Sequence, residues 1–231
     1  MRRGRWNAPF VLDEKPVSGI TPFLTEPVTV SGPPHRLAVN AGKSFVGSYV
    51  LGMGFVLEPD EARRLIDKDP RNKDVLFPYL NGEDLNSRPD QSPSRWVINF
   101  FDWPLDRKTA PVGHCGPVAA DYPDCLAIVE KKVKPEREKL GLKKDSSAKG
   151  YARLWWHYGR RGQDLYRTIA GMERVLVRAR IANIHSMVWV PAGWVYNEKT
   201  VVFVHCPLSV LLIVKILYAV HDFTTDFVAR C

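Results

Sequence analysis

The chain has only four cysteines, and no two of them form a Cys-x-x-Cys pair. Cys115, Cys125, Cys206 and Cys231 are too widely and irregularly spaced for a zinc ribbon or a disulfide framework. His114 next to Cys115, taken with Cys125, matches no standard metal or nucleophile spacing either. We therefore expect no metal site and a reduced, cytoplasmic setting.

Motifs that bind nucleotide phosphates or perform acid-base catalysis are also missing. Gly42-Lys43-Ser44 lacks the first glycine of a phosphate loop, and the stretch Gly52–Phe55 lacks the third glycine of a dinucleotide fingerprint. The paired carboxylates have ordinary local roles, since Asp60-Glu61 suits a helix start and Glu83-Asp84 follows an Asn-Gly turn signal. The residues alone therefore predict no catalytic group.

No segment is typical of a signal peptide or an uninterrupted membrane span. The apolar stretch Val201 to Val220 is interrupted by His205, Pro207 and Lys215. A buried strand from Val201 to Cys206, followed by a helix that Pro207 opens, explains the same residues. We predict no membrane partner, although a basic membrane-associated protein remains an alternative.

Positive charge is plentiful and confined to one part of the sequence. The 231 residues carry a net charge of +8 and are 45 % hydrophobic, enough for a globular core. Residues 131–180 contain 15 basic and five acidic side chains, a net +10. Such a window favours a polyanionic partner.

Aromatic residues are interleaved with this basic window. They are Tyr151, Trp155, Trp156, His157, Tyr158 and Tyr166. One interpretation is a nucleic-acid surface that combines phosphate contacts with stacking. The other is a solvated basic helix beside a buried Trp155-Trp156 anchor.

Short strands and helices follow one another without strict strand-helix-strand alternation, which predicts an α+β domain with a mixed sheet and short flanking helices. The patterns indicate a strand pair with a glycine bend over 43–57, a helix over 59–68 and a strand over 96–101. They also indicate a helix from Tyr122 to Val133 that Pro135 ends or kinks.

A strand with arginines on one side is predicted from Arg174 onward. Its alternation places Arg174, Leu176, Arg178 and Arg180 on one side, and Val175, Val177, Ala179 and Ile181 on the other. We expect a row of arginines opposite an apolar face.

Several unusual blocks occur in one order along the chain. They are NAGKSFVGSYVLGMGFVLEPDEARRLIDKDP from Asn40, SRWVINFFDWP from Ser94, the Trp155-Trp156 pair and LYRTIAGMERVLVRAR from Leu165. In this order they resemble the C-terminal target-recognition region of adenine-specific DNA methyltransferases of the type IIG restriction-modification kind. The resemblance covers about residues 8 to 205.

The resemblance implies a module that recognises double-stranded DNA and works with a catalytic methyltransferase domain or subunit. That family binds S-adenosylmethionine with a glycine-containing loop and holds a flipped adenine with an Asn-Pro-Pro-Tyr motif. This sequence has neither, and Gly32-Pro33-Pro34-His35 is no substitute. We therefore expect no cofactor site and no catalytic residue in this chain. Whether the chain alone is an enzyme stays open.

Two regions are predicted on the same basis: residues 1–42 as an extended lead-in or linker from a missing catalytic domain, and residues 43–231 as the recognition domain, truncated at its C-terminal end. Arg178 and Arg180 are the candidates for contacts to base edges, and Lys43, Arg160 and Arg161 for contacts to phosphates. The alternative is a structural remnant of such an enzyme that binds no DNA itself.

Overall fold

The structure, a computed structural model, describes residues 10–20, 41–142, 145–182 and 186–204. The chain divides into two units, Met1–Val39 and Asn40–Cys231. In the first unit, strands β1 (Phe10–Leu12) and β2 (Lys15–Val17) form an antiparallel hairpin whose turn residues, Asp13 and Glu14, both have positive φ. The predicted role of residues 1–42 as a lead-in, and the predicted extent of the recognition domain, stay predictions.

The second unit contains two four-stranded sheets with short helices around them, so the predicted α+β class with a mixed sheet is confirmed. The first sheet has the order β3 (Ser44–Val46), β10 (Thr200–Phe203), β7 (Arg174–Ala179), β8 (Val188–Pro191) and is antiparallel. The second has the order β4 (Val56–Leu57), β6 (Arg95–Ile98), β5 (Leu76–Leu80), β9 (Val195–Tyr196). Only its β5–β9 pair is parallel among the described strands.

The helices are α1 (Pro59–Lys68), α2 (Gly82–Ser87), α3 (Pro123–Lys132), α4 (Lys134–Gly141), α5 (Ser146–Arg153) and α6 (Gln163–Ile169). The predicted helix over 59–68 is confirmed, with Pro59 in its first turn and the Glu61 carboxylate accepting from the Glu58 amide. The helix predicted from Tyr122 forms as α3, and the chain changes direction into α4 at Lys134-Pro135. No described helix is long and apolar enough to cross a membrane.

Four local predictions were wrong or incomplete. The strand pair predicted over 43–57 does not form, because β3 pairs with β10 and β4 pairs with β6 in a different sheet. Asn81-Gly82 is not a turn, because the Asn81 Oδ1 caps α2 by accepting from the Glu83 and Asp84 amides at 2.7 and 3.0 Å. Strand β6 ends at Ile98 rather than 101, since Phe101 has φ 52° and its amide donates to the Asn99 side chain. Strand β7 ends at Ala179, which leaves Ile181 84 % exposed rather than on an apolar face.

Two hydrophobic clusters form the core of this unit. One packs Phe55, Leu57, Val97, Ile98, Phe100 and Val129 with Trp155, Trp156 and Tyr158. The other packs the inner face of the first sheet, including Val175, Val177, Ala179 and Val202, with Leu165 and Ile169 of α6. The apolar side predicted for the arginine-bearing strand is therefore confirmed from Val175 to Ala179. Residues His205 to Val220 of the predicted strand and helix lie outside the described residues.

Arg137 of α4 is the largest fully buried side chain among the described residues, 1 % exposed. Its guanidinium donates to the Val50 and Leu51 carbonyls at 3.1 and 2.7 Å, and it lies over the Phe55 and Tyr151 rings. No carboxylate in the described residues pairs with it, and burial lowers its pKa to about 10. Arg137 holds residues 50 and 51, of which Leu51 has φ 51°.

Tyr158→Phe tests one buried hydrogen bond of the core. The Tyr158 hydroxyl donates to the Ile98 carbonyl at 2.7 Å, and the ring is 5 % exposed. Removing the hydroxyl leaves that carbonyl unpaired, so we expect the free energy of unfolding in urea to fall by about 1 kcal/mol. Tyr49→Phe is the control, because the exposed Tyr49 hydroxyl has no hydrogen-bond partner in the described residues. Equal losses in both variants would contradict the assignment.

Candidate nucleic-acid interface

The basic residues of the 131–180 window do not form one continuous face. Arg137 is buried, and Lys134 is half-buried between the Glu130 carboxylate at 2.8 Å and the Trp155 ring at 5.1 Å. Arg167 pairs with Asp164 at 3.4 Å, and Arg174 lies 5.1 Å from the Trp189 ring. The net charge of the window therefore overstates the charge that any single surface presents.

The aromatic residues at 155–158 belong to the core, so a stacking role for them was wrong. Trp155, Trp156 and Tyr158 are 7, 8 and 5 % exposed. The Trp156 Nε1 donates to the Trp103 carbonyl at 3.0 Å, and the His157 Nε2 lies 2.7 Å from the same oxygen. Together with the Tyr158 bond to Ile98, these contacts fix segment 155–158 against segment 98–103. We call this set of contacts the aromatic clamp.

The residues that follow the aromatic clamp carry Arg160 and Arg161 and are bonded to Ser48 and Tyr49, which follow strand β3. Tyr49 and Arg160 exchange two backbone hydrogen bonds, at 2.9 and 3.0 Å. The buried Ser48 hydroxyl donates to the Arg161 carbonyl at 3.0 Å. Gly162 then takes a left-handed conformation, φ 69°, which opens α6. Hydrogen bonds to Tyr49 and Ser48 thus fix the backbone of both arginines.

Arg160 and Arg161 line an open depression of about 480 Å³ at the edge of the first sheet. Its other lining residues are Phe45, Val46, Gly159 and residues 162–165, and we call it the arginine groove. Arg160 is exposed and Arg161 half-buried, and neither forms an ion pair within the part of the chain that the structure describes. Two cations on a fixed backbone beside an open groove suit contacts to phosphate oxygens.

Arg178 and Arg180 lie at the end of the first sheet that borders the arginine groove. Arg178 is opposite Val201, which is opposite Val46 of the arginine groove. Arg178 is half-buried and its Nε donates to the Ala179 carbonyl at 3.1 Å. Arg180 lies beyond the end of β7, exposed, with its amide bonded to the Lys199 carbonyl and its Nη1 to the Glu198 carbonyl.

Lys43 is not brought together with the four arginines. Its carbonyl accepts from the Val204 amide at the opposite end of β3, six residues before the Tyr49 pair with Arg160. At about 3.3 Å per residue this separation is on the order of 15–20 Å. Lys43 is exposed, but any phosphate that it contacts differs from those at the arginine groove.

A second depression was not anticipated from the sequence. It has a volume of about 360 Å³, and Tyr49 is one of its lining residues. Besides Tyr49 and residues 50–53, it is lined by Arg95, Glu83 and the β9–β10 turn Asn197–Lys199. We call it the turn groove. Its residues come from four separate segments, so no local pattern in the sequence could have revealed it.

No metal-binding cluster of three or more His, Cys, Asp or Glu side chains exists among the described residues. No family model matches the chain, and no curated protein sequence does. The fold, however, is similar to part of a solved restriction-modification enzyme. That structure is the Type IIL enzyme MmeI in complex with DNA.

The similarity to MmeI covers 86 % of this chain and 24 % of the enzyme, with a TM-score of 0.53 and 13 % sequence identity. This chain therefore spans about a quarter of the length of that enzyme. At so low an identity the comparison establishes a shared fold. The comparison therefore supports the predicted fold, and the predicted relation to restriction-modification enzymes stays a prediction.

His157 makes the aromatic clamp sensitive to acid. Burial lowers the pKa of His157 below its usual value, and the Nδ1 atom has no hydrogen-bond partner in the described structure. The unfolded chain takes up a proton below pH about 6.5 while the folded chain does not, so stability falls as pH decreases from there. We expect a smaller free energy of unfolding at pH 5.5 than at pH 7.5, measured by urea denaturation.

His157→Gln is the matching variant, because an amide can donate to the Trp103 carbonyl without titrating. We expect this variant to lose less stability than the wild type between the same two pH values. An equal loss in both proteins would show that His157 does not titrate differently in the folded and unfolded states.

Proposed function

We propose that this chain is a DNA sequence-recognition module of a restriction-modification system. The observation that carries the proposal is the Arg160-Arg161 pair, held by backbone bonds at the rim of an open groove. Its support is the fold shared with part of an enzyme solved with DNA. Phosphate contacts from such a pair fix the position of a protein on a duplex without reading its sequence.

The finer part of the proposal is that the system is an adenine-specific DNA methyltransferase whose catalytic domain or subunit, with S-adenosylmethionine, is the partner of this chain. Its support is the resemblance of the sequence blocks between Asn40 and Arg180. In this arrangement the chain positions the duplex, and the catalytic partner flips and modifies the adenine. The competing hypothesis is a structural remnant that has kept the fold and lost DNA binding. Binding experiments distinguish this remnant from a recognition module.

The first experiment measures how DNA affinity depends on salt. A duplex held by four to six phosphate contacts gives a slope of log affinity against log salt of roughly −4 to −5. Replacing Arg160 and Arg161 by Ala removes two cations from the arginine groove, so we expect weaker binding to every duplex and a slope flatter by up to about two. The measurement is fluorescence anisotropy on a mixed-sequence duplex.

Arg63 and Arg64 provide a matched control, because they are also two adjacent arginines, both exposed, and lie on α1. Replacing both by Ala removes the same charge away from the arginine groove. We expect the slope to stay within experimental error of the wild type. A slope near zero in the wild type, or equal changes in the two double variants, would refute DNA recognition by this surface.

Arg178 and Arg180 generate a different expectation. If either donates to guanine in a bidentate contact, its replacement by Ala lowers affinity by about 1–3 kcal/mol on the preferred sequence and leaves binding to other duplexes unchanged. The comparison uses a duplex selected from a random pool and a scrambled version of it. Equal losses on both duplexes would reassign the residue to the phosphate backbone.

A further inference from the structure

The turn groove differs from the arginine groove in charge. The arginine groove is lined by two cations, Arg160 and Arg161, and by one carboxylate, Asp164. That carboxylate is paired with Arg167. The turn groove holds two cations, Arg95 and Lys199, and two carboxylates, Glu83 and Glu198. Its formal charge is therefore balanced, and both signs are present within one depression, where Arg95 also lies 3.9 Å from the Glu58 carboxylate.

This balance argues for base edges and against phosphates. A phosphate would be repelled by Glu83 and Glu198, whereas the major-groove edge of each base pair presents both donors and acceptors. A carboxylate accepts from the cytosine N4 amino group, and Arg or Lys donates to guanine O6 and N7. The mixed lining of the turn groove has the chemistry that this surface requires.

Hydrogen bonds fix the backbone segments that carry Glu83, Glu198 and Lys199. The Asn197 Oδ1 accepts from the Lys199 amide at 2.8 Å, and the Asn197 carbonyl accepts from the Thr200 amide at 2.9 Å. The Asn197 Nδ2 donates to the Tyr79 hydroxyl, and Glu83 follows the Asn81 cap of α2. Neither Glu83 nor Lys199 forms an ion pair within the described residues, so both remain available to a ligand.

Tyr49 connects the two grooves. Its backbone is paired with Arg160, and its side chain, 37 % exposed, borders the turn groove. Tyr49 therefore belongs by its backbone to the segment that holds Arg160, and by its side chain to the turn groove. We propose that the turn groove reads base edges of the bound duplex, with Glu83 and Glu198 as acceptors for cytosine amino groups. This inference rests on the proposed function.

The test replaces each carboxylate by its amide, as Glu83→Gln and Glu198→Gln. Gln pairs with adenine rather than accepting from cytosine, so the sequence selected from a random duplex pool should change at one base pair, from cytosine toward adenine. We expect at least a tenfold loss of affinity for the wild-type sequence in one or both variants. The slope against salt on a mixed-sequence duplex should stay unchanged, because no phosphate contact is removed.

Glu138→Gln is the control, since Glu138 is exposed on α4 and lies outside both grooves. It changes the net charge equally and should leave the selected sequence unaltered. Thermal unfolding followed by circular dichroism verifies that each variant is folded.

Three results would overturn the inference, and they are distinguishable. Tighter binding to all duplexes with an unchanged selected sequence would place the carboxylates near phosphates only. No change in either variant would place the turn groove off the DNA. Absence of salt-dependent binding by the wild type would refute the proposed function itself, and the inference with it.

Discussion

The Trp103 carbonyl is the point on which the arrangement of this surface depends. It accepts from the Trp156 indole and contacts the His157 ring, while Tyr158 bonds to Ile98 five residues earlier in the same segment. Buried polar groups of this kind are costly to leave unpaired, so the bonds define one position for segment 155–158. The next residues are Gly159, Arg160 and Arg161, and their placement follows from it.

Polar contacts hold the backbone segments that line the two grooves. Ser48 and Tyr49 fix the backbone of Arg160 and Arg161, whereas Arg137 fixes the carbonyls of Val50 and Leu51, which line the turn groove. Burying Arg137 without a carboxylate is unfavourable, and its lowered pKa reflects that. Surfaces prepared in this way lose less conformational entropy when a ligand binds.

Sequence reasoning succeeded where the signal is local. Pro59 with Asp60 and Glu61 defines the start of α1, and the alternation of Val175, Val177 and Ala179 defines the inner face of β7. It failed where the deciding contact is distant: Arg137 resembles any surface arginine of an amphipathic helix, although its partners lie 86 and 87 residues away. Arg160 and Arg161 were proposed on charge alone, and their role stays a prediction. Arg95, Glu83 and Glu198 were not candidates in the sequence, because only the tertiary fold brings them together.

The central claim is that this chain recognises a DNA sequence, and selection from a random duplex pool by the wild-type chain tests it most directly. The proposed function predicts that repeated binding and amplification enrich one short motif. It also predicts that the enriched duplex is retained at salt concentrations that release the starting pool. A pool that stays random after many cycles would contradict the claim. Release of the enriched duplex at the same salt concentration as the starting pool would contradict it as well.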